Sequence, residues 1–229
     1  MTIFNYAMLR GFRKPLVILF NVLLPLILIF IRPLWVGEGM VGVSLIAMMI
    51  MIGTFFMSET LLIDKASGAV IRIMAAPITT FRYLVENLLA ALVPWIVQLI
   101  IVVLIGLGLY GWTLTFSLAL LLCYTIFTVT SIAFAFAWHC LFKNRATNSG
   151  IFSAVLTLMA FLSGLIIPVH LFPSILEYIG AIFPAYWVSR GFTDLISYGH
   201  TTGSFWLSMG ILVLFTMAYL LYGGKRRIV

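Results

Sequence analysis

Between Glu86 and Lys143 the chain runs for 56 residues, Asn87–Phe142, without a formal charge. A helix rises about 1.5 Å per residue and needs about 20 residues to cross a bilayer core. The run is therefore too long for one crossing. It is read as two, divided by the turn-like Tyr110-Gly111-Trp112-Thr113. Further uncharged runs cover Pro15–Ile31, Gly39–Ser58, Ala146–Leu176 and Leu195–Gly224, so six spans are expected, near 16–35, 40–62, 84–109, 113–141, 148–167 and 204–222. With 64% of the 229 residues apolar and 8% charged, a water-soluble fold could not cover its surface. That excludes a soluble enzyme, a nucleic-acid reader and a secreted disulfide scaffold.

The basic residues set the topology, because Lys and Arg in short loops are retained on the cytoplasmic side. With the amino terminus inside, Arg10, Arg13, Lys14, Lys65, Arg72, Arg82, Lys143, Arg145, Lys225, Arg226 and Arg227 lie inside, and Arg32 and Arg190 lie outside. This split requires an even number of spans and two cytoplasmic termini. Trp35, Trp112, Trp187 and Trp206 fall near the expected outer ends, where an aromatic belt would place them. No small-residue cleavage pattern follows the first apolar run, so the first span is expected to anchor. Cys123 and Cys140 stand about 25 Å apart along one helix and cannot pair with each other.

The connections differ in character. Residues 2–14 mix Ile3, Phe4, Ala7 and Phe12 with Asn5, Arg10, Arg13 and Lys14, which suits a short helix in the inner interface. The longest cytoplasmic connection, Asp64–Tyr83, contains a small apolar helix over Ala69–Ala76, opened at Gly68 and stopped by Pro77. Its side chains need either the membrane surface or a groove on a cytoplasmic protein. The external segment Pro168–Thr202 carries Pro168, Pro173 and Pro184, with SILEYIGAIF between the last two. It reads as one or two short re-entrant or interfacial helices roofing the bundle.

Taken in order, the helix ending in RGFRKP, a first span containing Pro25 and the pattern D-K-x-x-G-x-x-x-R-x-x-A-x-P-x-T resemble the type-2 ABC transporter permeases. The segment LSGLIIPVHLFPSILEYIGAIFPAYWVSRGF is similar to their external hairpin. The resemblance covers essentially the whole chain, as a single permease domain over 1–229. It implies an all-α, six-helix half-transporter in the bacterial cytoplasmic membrane that pairs with a second copy or a paralogue. Two copies of a separate ABC ATPase would bind its ATP and magnesium. The implied cargo is a drug, an antimicrobial peptide or a lipid-linked compound. Matched positions in the implied coupling helix are Asp64, Lys65, Gly68, Arg72, Ala75, Pro77 and Thr79. Ile71 departs from the pattern, where an acidic residue is common.

No G-x-x-x-x-G-K-[ST] phosphate loop exists, so ATP hydrolysis is expected on another chain, and no bound cofactor is expected on this one. His139, His170 and His200 lack a second ligand at helical spacing, so no metal site is expected. Neither Ser163-Gly164 nor Ser189-Arg190-Gly191 builds a nucleophile motif, so no catalytic residue is assigned. An ion-coupled secondary transporter would want an acid near the bilayer midplane, and a membrane-embedded lipid-modifying enzyme would want clustered His, Asp or Ser. Glu59 lies about a turn inside the second span, where Arg82 or Lys143 could pair with it. On the fifth span Gly150, Ser153, Ala154, Thr157, Ala160, Ser163 and Gly164 recur at three- and four-residue steps, a face for close helix approach at a dimer interface or central cavity. Asn21, Thr54, Gln98, Thr125 and Thr128 are further candidates to line that cavity.

Overall fold

A computed structural model describes residues 3–36, 40–59, 63, 80–142, 144–167 and 171–225. Among these, the regular structure is helical throughout. Helix α1 (Ile3–Phe12) turns through 85° into α2 (Pro15–Ile29), with Lys14 in the joint and Pro15 as the first helical residue. Then follow α3 (Val41–Ser58), α4 (Thr80–Tyr110), α5 (Leu114–His139) and α6 (Arg145–Leu162). Two shorter helices, α7 (Ser174–Gly180) and α8 (Pro184–Tyr198), precede α9 (Gly203–Lys225).

Among the described residues, four helices are long and apolar enough to cross a membrane: Val41–Ser58, Val85–Tyr110, Leu114–His139 and Gly203–Gly223. The bent α1–α2 pair raises the number to five if it is one span, and Ala146–Leu162 is a shorter apolar helix. The expected first span, 16–35, is shortened, since regular helix ends at Ile29 and a tight turn over Arg32–Leu34 follows. There the Trp35 indole N–H donates to the Leu28 carbonyl at 2.7 Å and the Tyr110 hydroxyl donates to the Ile29 carbonyl, satisfying groups that a helix end leaves open. Trp35 is consequently 2% exposed and stacks near Tyr110 and Trp112, so it is a packed cap and not part of a lipid-facing belt.

The two prolines that fall inside spans behave differently. Ahead of Pro25, α2 widens into a π-bulge over Leu19–Leu23, and the Leu24 N–H reaches the Leu19 carbonyl one residue further back than in an α-helix. This accommodates the N–H that proline lacks. Pro94 sits within α4, which continues unbroken over its 31 residues.

Helix α5 is the centre of the bundle and packs on α3, α4, α8 and α9. Small residues on it let neighbours approach, and its hydroxyls bond across helices. Tyr124 Oη donates to the Val43 carbonyl at 2.8 Å, and Thr130 Oγ1 lies 2.8 Å from Thr216 Oγ1. With no water in a bilayer core, such groups need partners within the protein. The segment expected to be external does more than roof the bundle. One face of α8, including Val188, Phe192 and Leu195, is buried, with Phe192 5.1 Å from the Tyr124 ring. A void of about 10 Å³ lies between Pro184, Phe127 and Met159, room for one water at most.

Gly180 closes α7 against the end of α6, where a Cβ would stand 2.4 Å from the Leu162 carbonyl oxygen. Backbone cannot yield as a side chain can. Gly180→Ala is expected to cost about 1–3 kcal/mol, read as a lower thermal unfolding midpoint in detergent, with earlier proteolysis in the Ser174–Phe183 segment.

Candidate functional site

The candidate functional features fall into three places, the first of them not expected from the sequence. At the end of the bundle where Lys14 and His139 lie, four segments are tied by a buried polar joint. Ser58 Oγ lies 3.0 Å from His139 Nε2, and Asn148 Nδ2 lies 2.8 Å from His139 Nδ1. A single tautomer, with the proton on Nε2, lets Asn148 donate to the ring, the ring donate to Ser58, and Ser58 donate to the Phe55 carbonyl at 2.9 Å. The ring also stacks on Phe55 at 4.9 Å, and Phe55 stacks on Phe152 at 3.7 Å. Ser58, His139 and Asn148 are all essentially inaccessible, so the contacts join the ends of α3, α5 and α6 in a low-dielectric site.

One residue further along, Glu59 pairs with Lys14 at 3.8 Å, and Lys14 Nζ donates to the Phe56 carbonyl at 3.0 Å. Among the described residues, a partner of Glu59 is thus Lys14, at the joint between α1 and α2. The alternatives expected from sequence, Arg82 and Lys143, have side chains outside the described residues. On α1, the Phe4 N–H also donates to the Glu86 carboxylate at 3.3 Å. The helix that sequence places in the membrane interface is therefore fastened to α2, α3 and α4. Sequence reading treated His139 as one of three scattered histidines and missed this joint. A usable signal was present, since Ser58, His139 and Asn148 each lie at a span end expected on the same side.

The second place is α6. Gly150, Ser153, Ala154 and Thr157 share an exposed face, whereas Ala160 and Ser163 are buried and Gly164 is half-buried. The expected seven-residue face therefore divides. Its last turn is covered where α7 and α8 pack against the end of α6. On the open part, Ser153 donates to the Ser149 carbonyl and Thr157 to the Ser153 carbonyl, each at 2.8 Å. These hydroxyls are satisfied within the helix, leaving a small-residue surface that another helix can approach closely.

The other cavity candidates separate by bonding. Thr54, Thr125 and Thr128 donate to the carbonyls of Ile50, Leu121 and Tyr124, each at 2.7 Å, and are ordinary helix hydroxyls, the first and last buried and Thr125 half-buried. Asn21 and Gln98 are buried, with both amide atoms lacking a hydrogen-bond partner among the described residues.

The third place is the hairpin that the sequence expects to be external. Pro173 caps α7 and Pro184 begins α8, while Pro168 lies outside the described residues. Tyr186 Oη donates to the Glu177 carboxylate at 2.8 Å and Trp187 Nε1 donates to the Ala181 carbonyl at 2.9 Å, closing the hairpin on itself. Burial, followed by the Glu177 carboxylate, pushes the Tyr186 phenol above its ordinary pKa, so it stays a donor. Asp64, Lys65, Gly68, Arg72, Ala75, Pro77 and Thr79 also lie outside the described residues. Among the described residues no three His, Cys, Asp or Glu side chains converge as metal ligands would.

The sequence matches the family described as ABC-2 family transporter protein over residues 32–224. A search of curated proteins gives no match.

Proposed function

The chain belongs to the ABC-2 transporter family and is a multi-pass membrane protein, and from that premise we propose that it is the permease half of an ATP-driven exporter. Two such chains form the path, and a separate ABC ATPase supplies the energy. The basic end, with Lys14 and Arg145, faces the cytoplasm, and six segments cross the bilayer. The cargo is a drug, an antimicrobial peptide or a lipid-linked compound.

The observation that carries this reading is the polar joint at Ser58, Glu59, His139 and Asn148. The segment with the coupling-helix pattern begins at Asp64, five residues after Glu59. A push delivered there reaches the ends of α3, α5 and α6 together, because their side chains are bonded into one unit. Transport requires that ATP binding favour one arrangement of these helices over another. A joint of directional hydrogen bonds transmits such a bias better than apolar contact alone.

The dimer is supported by the open face of α6. That face lets two chains approach closely, and a path between them is part of the same proposal. Cysteines placed at Ser153 or Thr157 should cross-link two copies in native membranes. A cysteine at Leu214, exposed on α9, should not. The native Cys123 and Cys140 are buried and do not compete. Cross-linking at Leu214 with none at Ser153 or Thr157 would move the interface away from α6.

A further inference from the structure

The buried stripe of α2 reads Val17, Asn21, Pro25 and Ile29, one residue per turn. Val17 belongs to an apolar cluster with Leu88 and Ala91 of α4, and Ile29 to one with Trp95, Leu99 and Val102 of α4. Asn21 therefore falls between these two levels, beside the turn of α4 that carries Trp95 and Gln98. Its neighbour Val22 lines a groove together with Gln98. On α3, a Cβ at Gly53 would stand 2.6 Å from the Trp95 ring and 3.4 Å from Phe20 Cβ, so α2, α3 and α4 meet at this level.

Within this layer every nitrogen and oxygen of the Asn21 amide, the Gln98 amide and the Trp95 indole lacks a hydrogen-bond partner among the described residues. Asn21 is 1% exposed and Gln98 5%, and the amide atoms themselves are covered by protein. Unpaired buried amides weigh against the arrangement that contains them. Two amides are complementary, however, because each carries a donor and an acceptor, and a face-to-face pair satisfies one of each on both. The backbone around Asn21 suits it to such a change. Asn21 is the central residue of the π-bulge Leu19–Leu23, which holds one residue more than the α-helix on either side. Moving such a bulge by one residue turns the residue it passes by about 100° around the helix axis.

We propose that Asn21 and Gln98 are the two halves of a latch, open in this structure, that closes when the π-bulge shifts and α2 turns on α4. The closed pair holds a second arrangement of the α2–α4 flank. The inference rests on the reading of the chain as a transporter with two arrangements, but the latch belongs to the single chain and needs no ATPase.

The test uses the full chain without ATPase in phosphatidylcholine nanodiscs. Nitroxides are carried on cysteines placed at Leu23 of α2 and Leu104 of α4, both exposed, whereas the native Cys123 and Cys140 are buried. Labelled chain is diluted into an excess of unlabelled chain, so that double electron–electron resonance reads distances within one copy. Two distance populations are expected. Asn21→Leu and Gln98→Leu should each reduce the second population at least fivefold, and each should raise the thermal unfolding midpoint by removing an unpaired buried amide. The exchange of Asn21→Gln with Gln98→Asn keeps both amides and should restore the second population. A single population without these substitutions, two populations that both Leu variants leave unchanged, or an exchange variant that behaves like the Leu variants would overturn the latch. Lower midpoints in both Leu variants would overturn it as well, since the amides would then already be satisfied in the open arrangement. Isolation of the chain without an ATPase contradicts the permease reading and leaves these distances as they are.

Discussion

Arg72→Ala and Pro77→Ala are expected to reduce export about tenfold or more, while ATP hydrolysis by the associated ATPase continues and the protein inserts normally. The two substitutions act on different parts of one lever. In the proposed coupling helix Arg72 is the charged position, so its loss should weaken a directional contact with the ATPase. Pro77, three residues before α4 starts at Thr80, is proposed to stop that helix. Without proline the helix can run on toward α4, and the angle at which force enters the bundle changes. From Thr80 to Tyr110, α4 is one continuous helix that ends in the Trp35, Tyr110 and Trp112 cluster. A displacement at its beginning is therefore carried to the far end of the bundle. The check is paired measurement of hydrolysis and vesicle transport on the same preparation. Export at the wild-type rate in both variants would show that this helix does not couple.

His139→Leu is expected to be the most damaging single change at the polar joint. It removes a ring that bonds Ser58 and Asn148 at once; Ser58 keeps its bond to the Phe55 carbonyl, while the buried Asn148 amide is stranded at about 1–3 kcal/mol. Thermal unfolding in detergent measures the loss. Because the three side chains act as one unit, His139→Leu and Asn148→Leu should be strongly non-additive. The double variant should retain about 0.5–3 kcal/mol more stability than the summed single losses predict. Additive losses would mean that the two residues are merely neighbours. The same variants should uncouple hydrolysis from export more than Thr128→Ala, whose hydroxyl bonds only within its own helix.

Much of the helical framework was legible because charge is so sparse. The runs that exclude Asp, Glu, Lys and Arg locate the helices from α2 to α6 and α9, and the prolines at 173 and 184 frame α7 and α8. Helix ends were harder to read. Sequence hydropathy carries the first span on to Trp35, but Trp35 and Tyr110 return to the last carbonyls of α2 and end it at Ile29. Such a cap depends on a side chain about 80 residues away in sequence, so no local window contains it. The Lys14–Glu59 pair was hidden for the same reason. Periodicity placed Ala160 and Ser163 on one face with Thr157, yet it carries no information about the short helices that cover the last turn of α6. Composition also gave Thr54, Asn21 and Gln98 equal standing as cavity residues. Only three-dimensional bonding separates a threonine satisfied by its own helix from a glutamine with no partner.

The central claim is that this family member works as the membrane half of a two-component, ATP-driven machine. Its most direct measurement is isolation of the affinity-tagged chain from native membranes in mild detergent, followed by identification of what comes with it and assay of ATP turnover. An ABC-type ATPase in equal copy number is expected, with vanadate-sensitive hydrolysis that Arg72→Ala leaves active. A folded chain isolated without any ATP-hydrolysing subunit, across preparations that retain other ABC complexes intact, would contradict it.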